Sequence, residues 1–188
     1  HYWTDKDGGH IIATHAGEPI SGKPSMVWES AMLMLAMENY YFATGDADTK
    51  QKMQAHWNYL RSVFNEEQLV GRQGKSPNLA SDDAGWSAML FITIYRIFND
   101  KSALELARKL IHNSYDYWVD GTMDNGIWYC DKKLYNGDQW KSIYSVSLLI
   151  SALEYSKATK GTAQYDQSLY EKSMKLYNWI ENNLRRDK

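Results

Sequence analysis

The chain has 188 residues, a formal net charge of −2 and 44% hydrophobic residues, which suits one globular domain or a piece of a larger one. The scattered Lys and Arg exclude a concentrated nucleic-acid or membrane-surface footprint. No apolar run reaches the roughly 18 residues of a membrane span, and a single cysteine excludes an internal disulfide.

Residues 1–25 are predicted to form an irregular arm, because Gly and Pro recur there among polar residues. Three of its side chains, His1, His10 and His15, lack the i, i+4 spacing of metal ligands on a helix. His56, on the second predicted helix, also has no second metal-ligating residue at this spacing. We therefore assign it a structural role. We therefore expect neither a metal nor another cofactor.

Residues 26–188 are predicted to form a helical-hairpin domain of six helices. In chain order these span about 25–44, 46–64, 82–95, 101–118, 139–159 and 163–185. The first, third and fifth helices are apolar on every face, whereas the second, fourth and sixth are amphipathic. Longer polar loops are predicted at 65–80 and 119–138.

These helices form an internal repeat. Trp57, Trp118 and Trp179 recur with a spacing of 61 residues, one in each amphipathic helix. A repeat of this size indicates stacked hairpins. Apolar inner helices surrounded by an amphipathic outer layer predict an all-α fold, an α/α toroid of three hairpins. An open solenoid is the alternative, but each of its helices would keep one exposed face.

Two adjacent carboxylates, Asp82 and Asp83, stand at the start of the third helix, on the end of the toroid that carries the long loops. Paired carboxylates suit glycoside hydrolysis, in which one acts as nucleophile and the other as general acid and base. Their repulsion should raise one pKa, while the helix N-terminus favours the ionised form of the other. Trp86 lies over the same helix face. The many Trp and Tyr residues also favour sugar binding, since their rings stack on sugars.

The segment Asp82-Asp83-Ala84-Gly85-Trp86 resembles the Asp-Asp-x-Gly-Trp-Trp motif of glycoside hydrolase family 76, the endo-α-1,6-mannanases. Gly126-Ile127-Trp128-Tyr129 resembles the aromatic loop of that family, and Lys141 resembles the lysine of its Lys-Asn-Ala motif. The resemblance covers about residues 25–185. Ser87 and Ser142 replace the second Trp and the Asn of these motifs.

The resemblance implies an (α/α)6 barrel and a retaining mechanism. It implies Asp82 as nucleophile and Asp83 as general acid/base. It suggests that the substrate, an α-mannan-type polysaccharide or oligosaccharide, is bound by Trp86, Trp128, Tyr129 and Lys141. An extracellular, periplasmic or cell-surface location would follow from such a substrate.

Three hairpins are half of a six-hairpin barrel. Half a barrel would expose a large apolar inner face. We therefore expect that a C-terminal half, a partner or self-association covers this opening, and that the chain is the N-terminal half of a larger catalytic domain.

Three other interpretations remain open. A non-catalytic glycan-binding domain would use the same aromatic cleft. A scaffold would use the Asp pair only to cap a helix. Another α/α-toroid enzyme, such as an unsaturated glucuronyl hydrolase, would require basic residues, for which Lys141 is the candidate.

Overall fold

The structure is a computed structural model that describes residues 3–15, 18–24, 27–78, 80–119, 126–130 and 146–184. It is mainly helical, and the predicted all-α class is confirmed. The helices are α1 (Val27–Thr44), α2 (Ala47–Val63), α3 (Glu66–Val70), α4 (Ser81–Phe98), α5 (Lys101–Trp118), α6 (Val146–Thr159) and α7 (Gln167–Asn183). Across these described segments, no helix is long and apolar enough to cross a membrane.

The ends of the helices follow from local chemistry. Aspartates cap the three amphipathic helices: Asp46 precedes α2, Asp100 precedes α5 and Asp166 precedes α7. Asp46 accepts one backbone N–H group of the first turn, and Asp100 and Asp166 accept two each. Gly45 and Asn99 end the preceding helices in the left-handed region, with φ of 72° and 55°. The predicted bounds of α2 and α5 are confirmed, and α7 begins after Asp166 rather than at 163.

The helices are arranged as hairpins in two layers. α1 pairs with α2, α4 with α5 and α6 with α7, while α4 lies between α1 and α6. The three repeated tryptophans of the outer helices are buried: Trp57, Trp118 and Trp179 are at most 5% exposed. This is the predicted α/α toroid, with α1, α4 and α6 inside.

The inner helices differ in how far they are buried. Of the first fourteen residues of α4, all are buried except three, which are half-buried, so this part of the helix is covered on every side. The same prediction for α1 is wrong, because Met32 is 55% exposed. On α6, Ile150 is 38% exposed. The physical reason is the number of neighbours: α4 has an inner helix on each side, whereas α1 and α6 each pack against one inner helix among the described elements.

An ion-pair network joins the three inner helices toward their C-terminal ends. Arg96 of α4 donates to Glu38 of α1 at 2.6 and 2.7 Å and to Glu154 of α6 at 2.9 Å. Glu38 is only 4% exposed and also accepts a hydrogen bond from Thr93 at 2.9 Å. The network fixes the lateral spacing of α1, α4 and α6.

The N-terminal residues differ from the predicted irregular arm. They form three antiparallel strands, β1 (Trp3–Thr4), β2 (His10–His15) and β3 (Glu18–Pro24), in the order β1-β2-β3. The backbone N–H of Ile11 donates to Nδ1 of His56 on α2, and His10 stacks on Tyr59. These contacts dock the sheet on α2, and they confirm the structural role of His56. The domain boundary at 25/26 stays a prediction, since both residues lie outside the described ones.

The loop predicted at 65–80 contains the short helix α3. Its capping box is complete: Asn65 accepts from the N–H of Gln68, and the Gln68 side chain accepts from the N–H of Asn65, both at 2.9 Å. The predicted start of the fifth helix at 139 lies outside the described residues, which resume at Val146 with α6.

Candidate functional site

The Asp pair occupies the first turn of α4, as predicted. The N-cap is Ala80, which makes no side-chain cap hydrogen bond, so neither aspartate is the capping residue. Both side chains are half-buried. The Oδ1 atom of Asp82 is buried without a hydrogen-bond partner among the described residues.

The two carboxyl groups differ in proton affinity. Burial raises the pKa of Asp82, and backbone N–H groups of the first turn oppose that rise. Burial raises the pKa of Asp83 to about 7, with further contributions from the negative charges of Asp82 and then Glu29. Near neutral pH, Asp83 therefore holds a proton on a substantial fraction of molecules.

The segment 126–130 is held against the start of α4. Ser81 donates two hydrogen bonds to the carbonyl oxygen of Tyr129, from its backbone N–H at 2.7 Å and from its hydroxyl at 3.0 Å. Ala80 and Cys130 form an isolated β-bridge. The N–H of Trp128 donates to the carbonyl oxygen of Trp118 at 3.0 Å. The structure thus brings the aromatic segment and the Asp pair to the same end of the toroid.

The predicted aromatic site residues are only partly enclosed. Trp86, Trp128 and Tyr129 are all half-buried, and both Trp side chains pack against the hydrophobic core. Each ring therefore has a packed part that fixes its position and an accessible part. Lys141, the remaining predicted substrate-binding residue, lies outside the described residues.

Two glycines permit close packing around the site. A Cβ atom on Gly85 would lie 2.4 Å from backbone atoms of Ser147 and Leu148, so the first described turn of α6 rests directly on α4. The Ser147 hydroxyl donates to the carbonyl oxygen of Asp82 at 3.1 Å. A Cβ atom on Gly126 would lie 2.1 Å from the Trp179 ring. Larger residues at either glycine would displace the elements that frame the Asp pair.

Glu29 was missed by the sequence analysis. It stands in the first turn of α1 and its charge acts on Asp83. Its position is visible in the sequence, because Glu29 is an acidic residue in the first turn of an inner helix, as Asp83 is. An ordinary helix-terminal carboxylate has the same sequence pattern, so the pattern alone does not distinguish it.

Two cavities lie away from the Asp pair. One of about 440 Å³ is lined by residues including Arg108 and Asp166, and one of about 500 Å³ is lined by residues including Leu153 and Tyr170. The first lies at the start of α5 and α7, the end opposite to Asp82 and Asp83. Within the described part of the chain, no three His, Cys, Asp or Glu side chains are grouped to hold a metal ion.

The described residues form an α/α toroid with a pair of half-buried carboxyl groups at the start of an inner helix. The model of Glycosyl hydrolase family 76 matches residues 1–188, the whole chain. The chain therefore belongs to this family, and its class is that of glycoside hydrolases acting on a carbohydrate. A comparison with curated proteins gives no match.

Proposed function

We propose that this protein cleaves α-mannan-type polysaccharide with retention of configuration, with Asp82 as nucleophile and Asp83 as general acid/base. The observation that supports this most is the pair itself: two half-buried carboxyl groups in one helix turn, of which Asp83 has a pKa of about 7. The acid must be protonated while the nucleophile is ionised, and two neighbouring carboxyl groups with different pKa values meet this requirement.

In the first step, protonated Asp83 donates its proton to the glycosidic oxygen as the bond to the leaving sugar breaks. Ionised Asp82 attacks the anomeric carbon and forms a glycosyl ester. The negative charge of Asp82 disappears in this ester. Since that charge contributes to the raised pKa of Asp83, the pKa of Asp83 then falls.

In the second step, ionised Asp83 accepts a proton from water as the water attacks the anomeric carbon. The ester bond breaks, Asp82 leaves as a carboxylate, and the product has the original configuration. The return of the Asp82 charge raises the pKa of Asp83 again, which restores the acid for the next cycle.

The substrate is proposed to lie along the aromatic side chains Trp86, Trp128 and Tyr129, with Lys141 as a further contact. The backbone carbonyl of Tyr129 is held at the start of α4 by the two Ser81 hydrogen bonds, which supports a contact between its side chain and a substrate at the Asp pair. Ring faces stack on the apolar faces of sugars. A polysaccharide substrate favours an extracellular, periplasmic or cell-surface location.

The first experiment measures release of reducing sugar from α-1,6-mannan, branched α-mannan, β-mannan and cellulose. The variants are Asp82→Asn, Asp83→Asn and the control Asp48→Asn, an exposed aspartate on the outer helix α2. We expect release from an α-mannan, a loss of at least about a thousandfold in both site variants, and no change in the control. Absence of release from every glycan, with binding retained in both site variants, would favour the glycan-binding interpretation instead.

Azide rescue separates the two roles on an activated aryl α-mannoside. In Asp82→Ala, azide should replace the nucleophile and yield the β-mannosyl azide. In Asp83→Ala, azide should intercept the glycosyl ester and yield the α-mannosyl azide. The opposite pattern would reverse the assignment of the two carboxylates.

The pH profile gives an independent check. Because Asp83 must be protonated in the free enzyme, kcat/KM should fall above an apparent pKa of about 7. A profile that stays flat up to pH 9 would exclude Asp83 as the acid.

A further inference from the structure

We propose that Ser81 is a positioning residue that lets this site distinguish a glycan chain from a single sugar. Its side chain ties the segment 126–130, which carries Trp128 and Tyr129, to the helix turn that carries the Asp pair. The role of Ser81 toward substrate rests on the proposed function. The attachment of the segment can be measured without substrate.

The hydroxyl of Ser81 joins two distant parts of the chain. Ser81 is the first residue of α4 and its side chain is fully buried. The hydroxyl donates to the carbonyl oxygen of Tyr129, 48 residues further along the chain, at 3.0 Å. The backbone N–H of Ser81 donates to the same oxygen at 2.7 Å. This carbonyl thus accepts two hydrogen bonds from one residue, one for each of its lone pairs.

Other contacts fix the same segment to the outer layer of helices. The backbone N–H of Trp128 donates to the carbonyl oxygen of Trp118, at the end of α5, at 3.0 Å. Gly126 lies against the Trp179 ring of α7, where a Cβ atom would have no room. Ser81 adds a link from the segment to the inner helix that carries the two aspartates.

This link sets how the aromatic segment stands relative to the reacting groups. Ser81 directly precedes Asp82, so the backbone of Tyr129 is held one residue away from the proposed nucleophile. With the cleaved sugar at the carboxylates, the half-buried rings of Trp128 and Tyr129 bind the next sugar of a chain. A glycoside of one sugar lacks this contact, and the Ser81 hydroxyl therefore matters less for it.

The attachment is tested by amide hydrogen exchange, measured by NMR on the whole protein. In Ser81→Ala, the N–H of Trp128 should exchange about two- to tenfold faster, because one hydrogen bond that opposes local opening is lost. The control Ser62→Ala removes an exposed hydroxyl that also donates to a backbone carbonyl, that of Tyr59 at 2.7 Å. The control should leave the rate unchanged. An unchanged Trp128 rate in Ser81→Ala overturns the inference, whatever the activity.

The role toward substrate is tested with α-1,6-mannotetraose and an aryl α-mannoside. For the tetraose, Ser81→Ala should raise KM about two- to tenfold and lower kcat by a smaller factor. For the aryl mannoside, kcat/KM should fall by less than it does for the tetraose. Tyr129→Ala keeps the carbonyl but lacks the ring. In that background, Ser81→Ala should change the tetraose KM less than in wild type, because both residues act through one contact.

The outcomes separate this inference from the proposed function. Equal losses on the two substrates, or equal effects in wild type and Tyr129→Ala, overturn the role of Ser81 toward a glycan chain. If wild type binds the tetraose without cleaving it, calorimetry should show the same factor in Kd. That result overturns the proposed hydrolysis and leaves the role of Ser81 standing. Wild type that neither binds nor cleaves the tetraose overturns both.

Discussion

Protonation of His56 should destabilise the protein as the pH falls below 6.5. The ring is fully buried, and its Nδ1 accepts the N–H of Ile11 at 3.2 Å. The Nε2 atom is buried without a partner in the described part of the chain. Burial lowers the pKa of His56 to about 3, and the charge of His10 lowers it further in the same direction. A protonated ring would lose its acceptor for the N–H of Ile11.

The size of the effect follows from proton linkage. The unfolded chain takes up this proton near pH 6.5, whereas the folded protein resists it down to about pH 3. The stabilisation is therefore complete above pH 6.5 and is lost as the pH falls toward 3. The loss is about 1.4 kcal/mol per pH unit, or about 2 kcal/mol at pH 5.

The assay compares wild type with His56→Gln by urea unfolding at pH 7 and pH 5, followed by tryptophan fluorescence. Glutamine does not titrate and keeps an oxygen that can accept the N–H of Ile11, while the carboxylates are common to both proteins. The difference in unfolding free energy between them should change by about 2 kcal/mol between the two pH values. A difference that is the same at pH 7 and pH 5 would refute the argument.

Three further substitutions test the packing that supports the site, each by urea unfolding. Gly85→Ala should lower the unfolding free energy by about 1–3 kcal/mol, because the new Cβ would lie 2.4 Å from the α6 backbone. An unchanged unfolding free energy would show that α6 can shift to make room for it. Asp100→Ala should cost about 2 kcal/mol, because it removes both the cap of α5 and the 2.9 Å partner of the Trp57 indole. A loss below 0.5 kcal/mol there, which is typical of a surface change, would contradict this. Glu38→Gln should lower the unfolding free energy by about 3 kcal/mol, since it replaces the buried one of the two carboxylates paired with Arg96 by a neutral group. Unchanged stability would show that the Glu38 charge is not needed there.

Several elements could be predicted from the sequence because their causes are local. α5 occupies Lys101–Trp118 as predicted, since Asp100 caps it and its apolar residues keep one helical period. The position of the Asp pair at the start of α4 follows in the same way from the pattern of the following residues. The family followed from three short motifs, and the match over residues 1–188 confirms it.

Other elements could not be predicted because their causes are distant in sequence. The strands at the N-terminus depend on pairing with one another and on contacts of His10 and Ile11 with α2. Gly and Pro content alone predicts an irregular segment. The short helix α3 is a different case, because its capping pair Asn65 and Gln68 is visible in the sequence but stands within a polar stretch.

The sequence by itself determined where the long helices lie, how they alternate between inner and outer layers, and which carboxylates stand at the start of α4. Periodicity and capping are properties of neighbouring residues, so they can be read along the chain. The tertiary structure decided how many sides of each inner helix are covered and which charge from a distant part of the chain contributes to the raised pKa of Asp83. α1 and α4 have similar apolar patterns, yet among the described elements α4 has an inner helix on both sides and α1 has one on a single side. Burial and electrostatic coupling depend on neighbours in space, and Glu29 lies 54 residues before Asp83 in the chain.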